Sequence, residues 1–188
     1  MIQTKEDYKE YRRMDDARYV KSKYPFLLWL MGGNENSHMR SFMRTLRRLE
    51  YYTNVKTCIM GGVIRAFLTY KHRRNCMKYG VFIRPNSCGP GLRIVHIGGI
   101  HLNCASMGAN CTVTQGVVLG NKNLPENRPI VGDNVELTLG CKVIGGITIG
   151  NNVIVAPNSV VVKDVPDNSV VSGVPARTIK HNGVKVGV

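Results

Sequence analysis

No aspartate or glutamate stands between Glu50 and Glu126, although nine lysines and arginines do. The chain carries a net charge of +14, with 17 cations against 7 acids in residues 1–80 and 9 against 5 in residues 81–188, hence +10 and +4. A surface this short of acid favours a neutral or anionic partner. Long apolar runs are missing too. The longest, Pro25 to Met31 and Cys58 to Leu68, fall short of the ~20 residues that cross a bilayer, and Arg65 interrupts the second. Cys58, Cys76, Cys88, Cys104, Cys111 and Cys141 form no CxxC pair and no zinc spacing, which predicts free thiols in a reducing, cytoplasmic setting and no metal site. The polar stretch Met1 to Glu10 predicts no secretory signal. No GxxxxGK phosphate loop occurs, and Gly89-Pro90-Gly91 is no dinucleotide fingerprint. Aromatic residues do not interleave the cations as they do on a base-reading face, which argues against nucleic acid.

What the chain does have is a period of six. Val131, Leu137, Val143, Ile149, Val155 and Val161 stand six apart, and four residues after each come Val135, Cys141, Ile147, Val153, Ser159 and Val165. Glycines and the pairs Asp133-Asn134, Asn151-Asn152 and Pro157-Asn158 fall between them. Six is neither the 3.6 of a helix nor the 2 of a plain strand. It is the spacing of short strands joined by tight turns and wound into a solenoid, with one aliphatic per hexad turned inward. The same pattern starts at Val81, where helix-friendly residues give way to Val, Ile, Gly and Asn. Between Leu102 and Met107 it is one residue short. From Asn121 to Pro129 it is replaced by a loop that leaves the coil and returns in phase. The expected organisation is mainly β: a helical region over residues 1–80, a β-helix over 81–179 and a loose tail over 180–188.

Three helices are expected before the coil. The first runs from Thr4, which forms a capping box with Asp7, to about Lys23. After the apolar segment Phe26 to Met31, Ser37 is the expected cap of a second helix reaching about Tyr52. Phe42, Leu46 and Leu49 make its apolar stripe, and Arg40, Arg44, Arg47 and Arg48 its basic face. The third spans Val55 to Tyr79, is stopped by Gly80, and is apolar nearly all round from Ile59 to Leu68, which predicts burial. The basic faces read either as solvated helix surface or as contact with an anionic surface such as lipid head groups.

Gly91-Leu92-Arg93-Ile94-Val95-His96-Ile97-Gly98-Gly99-Ile100 resembles the catalytic turn of the hexapeptide-repeat acyltransferases. Thr114 to Gly120 (TQGVVLG) and Ser172 to Arg177 (SGVPAR) resemble two further motifs of that family. The nearest branch holds serine O-acetyltransferases and the sugar O-acetyltransferases of capsule and exopolysaccharide synthesis. Leu46 to Tyr52 (LRRLEYY) resembles the capsule-type members. The resemblance covers about residues 81 to 180. It implies a left-handed parallel β-helix, a homotrimer, and acetyl-CoA bound in the groove between neighbouring chains.

Acyl transfer to a hydroxyl needs a base of near-neutral pKa, and the resemblance assigns that role to His96. A histidine merely stacked in the coil wall is the alternative. His101 reads as a coil residue. The resemblance also places Lys163, Arg177 and Lys180, with Lys122 as a weaker candidate, near the phosphates of CoA, and Ala156-Pro157 near its pantetheine arm. The serine-specific enzymes carry aspartates upstream of and directly before the histidine. Here Val81 to Val95 has no acid, and the loop-borne second histidine of those enzymes is replaced by Arg128. These departures point to a saccharide hydroxyl as acceptor, with Asn86 and Arg128 as candidate contacts and serine as the runner-up. Asn86, a backbone carbonyl or a residue of the helices would orient His96. A non-catalytic trimeric scaffold is the reading from another class. Metal-dependent hydration would need several histidines across a chain interface, and His96 with His101 does not supply them.

Overall fold

The inward aliphatics and the turn residues divide the work of building the coil. The computed structural model describes residues 1–19, 23–24, 30–56, 59–124 and 126–186. Among these, each hexad is one short strand and one turn, and the strands stack into the three flat faces of a left-handed parallel β-helix. One face holds β1 (Val81–Ile83), β3 (Ile100–Leu102), β6 (Val118–Gly120), β9 (Lys142–Ile144) and β12 (Val160–Val161), paired in parallel in that order. The second holds β4 (Ser106–Met107), β7 (Ile130–Val131) and β10 (Thr148–Ile149). The third runs through β2 (Arg93–Val95), β5 (Thr112–Thr114), β8 (Glu136–Leu137), β11 (Ile154–Val155) and β13 (Ser169–Gly173). Leu137, Val143, Ile149 and Val155 are wholly buried, as are Cys141 and Val153 on the companion positions.

The corners explain the asparagines. Asn110, Asn134, Asn152, Asn158 and Asn168 all have φ between 54° and 58°. Asparagine tolerates this left-handed region better than other side chains with a Cβ. Their amides also stack: Asn134 Nδ2 donates to Asn152 Oδ1 at 3.1 Å, and Asn152 Nδ2 to Asn168 Oδ1 at 2.9 Å.

At its far end the coil is closed by an antiparallel extension. The stretch expected to trail away from Lys180 instead pairs: β14 (Ala176–His181) lies on β13, and β15 (Val184–Lys185) lies on β14.

At its near end the coil meets the helices α1 (Lys5–Ala17), α2 (Glu35–Asn54) and α3 (Ile59–Tyr79). Thr4 and Asp7 form the expected capping box, but α1 ends at Ala17 rather than near Lys23. Asn34, not Ser37, caps α2, so the helix begins three residues earlier than the sequence suggested. Most of the Phe26 to Met31 segment lies outside the described residues. In α3 only Gly61, Leu68, His72 and Cys76 are buried. Ile59 and Phe67, expected to be buried, are 92% and 62% exposed. No described helix is long and apolar enough to cross a membrane.

Arg47 departs most from expectation. The sequence places it on a basic face turned to solvent or to an anionic surface, whereas the structure buries it fully. Its Nε donates to Asp15 Oδ2 at 2.8 Å, and Nη1 donates to Glu50 Oε2 at 3.0 Å and to the Cys88 carbonyl at 2.8 Å. Nη2 reaches the Gly89 carbonyl. The two acids are satisfied from the coil as well: the Gly91 amide donates to Asp15 Oδ1 at 2.7 Å, and the Asn86 amide to Glu50 Oε1 at 2.7 Å. Tyr19 and Arg18 extend this junction. The Ile94 amide of the edge strand β2 donates to the Tyr19 oxygen at 3.0 Å, and Arg18 donates to Thr112 Oγ1 at 2.7 Å. Side chains of the helical layer thus take up donors at an otherwise open edge.

Two outcomes follow. Arg47→Met leaves two buried carboxylates without their cation and should cost about 3–5 kcal/mol in urea unfolding, whereas Lys185→Met on the exposed β15 should cost almost nothing. Asp16 bridges Arg40 and Arg44 at 2.9 and 2.8 Å. Burial pushes its carboxyl up, but hydrogen bonds from Arg44 and Arg40 outweigh that and hold it at about 2, below the ordinary 3.8. Its contribution is therefore complete above about pH 4 and is lost as pH falls toward 2. An Asp16→Asn variant should be less stable at pH 7 and show a smaller further loss between pH 4 and pH 2.

Candidate active site

His96 follows β2 at a corner where the backbone turns sharply: His96 has φ 65°, and Gly98 and Gly99 after it have φ 102° and 68°. A histidine in the left-handed region is uncommon and occurs where the surroundings hold it. Here the hold comes from the other end of α2. Glu35 occupies the first helical position after the Asn34 cap, where a carboxylate is favoured by the helix dipole. Its Oε2 lies 3.2 Å from His96 Nδ1, and its Oε1 accepts the backbone N–H of Ile97. Both side chains remain partly open, His96 at 61% and Glu35 at 40% exposure.

The two residues share a small cleft of about 150 Å³ with Arg93 and Asn36. A base, an anion and a cation therefore line one opening. With the carboxylate accepting from Nδ1–H, the lone pair of the imidazole stands on Nε2, ready to take a proton. A larger cavity of about 660 Å³ lies between α3 and the β1 face, next to His72 and His101, and is mostly apolar. His101 stacks on Phe82 there, 5.8 Å between centroids, as a coil residue would. Burial lowers the pKa of His72, whose Nε2 lies 3.0 Å from the Ile83 carbonyl oxygen.

The other candidate residues do not join this cleft within one chain. Asn86 is a structural tie: it exchanges two hydrogen bonds with Asn54, at 2.8 and 3.1 Å. Arg128 sits half-buried at the end of the 121–129 loop. Lys163, Arg177 and Lys180 are exposed near the far end of the coil, Lys163 after β12 and the other two on β14. Ala156 is half-buried, and its amide donates to the Val171 carbonyl within the stack at 2.9 Å; Pro157 beside it is exposed. Among the described residues no three potential metal ligands cluster. Glu35 is what the sequence reading missed. It lies 61 residues before His96, and its only trace in the sequence is an acid directly after Asn34 in a cap pattern closed by Ser37.

The chain is similar to serine acetyltransferases. It is 40% identical to that of Staphylococcus aureus (strain N315) over 112 residues, 57% of this chain and 53% of that protein. It is 40% identical to that of Synechococcus elongatus over 111 residues, 57% of this chain and 46% of that protein. The chain thus spans about half the length of the curated relatives it matches. No family model matches. Among solved structures, the serine acetyltransferase of Neisseria gonorrhoeae superposes with a TM-score of 0.69 at 24% identity, covering 98% of this chain and 70% of that one. The same enzyme in complex with serine gives 0.67 at 26%, covering 94% and 70%. A serine acetyltransferase in complex with CoA gives 0.61 at 26%, covering 92% and 66%.

The resemblance to hexapeptide-repeat acyltransferases is therefore borne out, on the serine O-acetyltransferase side of the branch. The preference for a saccharide acceptor and a role in polysaccharide synthesis is overturned by these relatives. It rests on the lack of acid between Val81 and Val95 and on Arg128 in place of a second histidine. In space a carboxylate does stand at His96, because α2 carries Glu35 to it.

The Glu35–Ile97 contact gives a test independent of turnover. In Glu35→Ala the Ile97 amide loses its acceptor, so its hydrogen exchange should speed up at least tenfold, with coil amides such as Val143 unchanged.

Proposed function

We propose that this chain transfers the acetyl group of acetyl-CoA to the hydroxyl of L-serine, with His96 as general base. The observation that carries the proposal is the pairing of Glu35 with His96 beside Arg93. A zwitterion with one hydroxyl matches that trio: its carboxylate faces Arg93, its ammonium faces the open side of Glu35, and its hydroxyl faces Nε2 of His96. The likeness to enzymes named as serine acetyltransferases supports the same reading.

The chemistry is a direct transfer. Nε2 takes the hydroxyl proton as the serine oxygen attacks the thioester carbonyl, and the C–S bond breaks as the tetrahedral intermediate collapses. The proton on His96 then passes to the leaving thiolate, giving CoA and O-acetylserine. Glu35 keeps the ring in its Nδ1–H tautomer and offsets the charge of the imidazolium. We place CoA along the coil with its phosphates near Lys163, Arg177 and Lys180 and its pantetheine arm by Ala156 and Pro157. Its thioester then reaches His96 across the groove between neighbouring copies of a homotrimer.

A CoA-release assay tests this. With L-serine the wild type should turn over. His96→Ala should lose about 10²–10⁴-fold in kcat, and Glu35→Gln about 10²-fold. Arg93→Ala should raise the KM for serine roughly 10–100-fold, with a smaller change in kcat. Turnover unchanged in His96→Ala refutes the base. Absence of both turnover and CoA binding in the wild type favours a non-catalytic scaffold.

A further inference from the structure

Away from the coil, α1, α2 and α3 converge on an open cavity of about 470 Å³. Four cations line it: Arg12, Arg44, Arg48 and Lys71. No carboxylate does. Among the described residues Asp16 engages Arg44, while Arg12, Arg48 and Lys71 have no carboxylate partner. Aromatic faces take part of the load, Arg12 over Tyr8 at 5.7 Å and Arg48 over Tyr52 at 5.9 Å, but a ring face is a weak partner for a guanidinium in water. The Nε of Arg12 is shielded from solvent and has no acceptor. Ser41 on the rim adds a hydroxyl.

Like charges collected in one concavity, three of the four without a carboxylate partner, repel one another, and the cost is removed when an anion enters. Arginines with planar donor forks and a lysine in the same lining suit tetrahedral oxyanions. We propose that this cavity, which shares no residue with the His96 cleft, is a phosphate-binding site for a ligand presenting one or more phosphate groups. The phosphate is carried either by a small soluble compound or by a lipid head group, since Lys71 also borders the exposed apolar side of α3 at Phe67 and Tyr70.

The test uses the full chain at low ionic strength and two probes. Inorganic pyrophosphate is titrated by calorimetry and thermal shift. Vesicles of phosphatidylcholine, with and without phosphatidic acid, are used in co-sedimentation. The variants are Arg48→Glu/Lys71→Glu and the milder Arg48→Gln/Lys71→Gln. A charge-matched control, Lys9→Glu/Lys185→Glu, corrects for the general attraction of a +14 chain. Tight pyrophosphate binding, weakened at least about tenfold in both site variants and little in the control, assigns a soluble ligand. Binding confined to phosphatidic acid vesicles with the same pattern assigns a head group. Acetyl transfer without pyrophosphate should be unchanged in the site variants. No binding of either probe, or binding weakened equally in the control, overturns the site.

Discussion

A single buried guanidinium fixes how the helical layer sits on the coil. Arg47 joins Asp15 of α1 and Glu50 of α2 to the carbonyls of Cys88 and Gly89, and the same two acids accept amides of Gly91 and Asn86. A buried ion cluster adds little net stability, since desolvation offsets most of the attraction. Its effect is on position. Only one placement of α1 and α2 against residues 86–91 satisfies every donor and acceptor. Glu35 lies twelve residues before Arg47 on one helix, about 18 Å along a rigid rod. His96 lies a few residues beyond the anchored turn. Both Glu35 and His96 are therefore referred to the same knot.

The coil was legible in the sequence because its cause is local. One aliphatic in six must turn inward, and the corners need residues that accept positive φ, so Val, Gly and Asn recur at fixed offsets. The capping box at Thr4 was legible for the same reason. Arg47 was not: beside Arg40, Arg44 and Arg48 it looks like surface, and most of what buries it is distant in sequence, Asp15 32 residues before it and the Cys88 and Gly89 carbonyls 41 and 42 after it. The exposure of α3 was missed because an apolar composition reports what a helix contains, not which side is covered. The acceptor was not legible, because an acid-free stretch of chain is not an acid-free site: a carboxylate from the first turn of α2 lies against His96.

The acids of the helical region are scarce and mostly committed. Of seven in residues 1–80, Asp15 and Glu50 hold Arg47, Asp16 holds Arg40 and Arg44, and Glu35 holds His96. The remaining cations are left toward the outside. The positive charge on the helical layer and the negative charge beside His96 are thus two sides of one arrangement: the acids sit against particular partners, and one of those partners is His96.

The most direct measurement is the tautomer of the His96 ring, read from long-range ¹⁵N–¹H correlations with the signal assigned by its loss in His96→Gln. The account predicts that the neutral ring carries its proton on Nδ1, bonded to Glu35, and that Glu35→Ala abolishes this preference. A neutral ring protonated on Nε2 in the wild type, or one indifferent to Glu35, would contradict it.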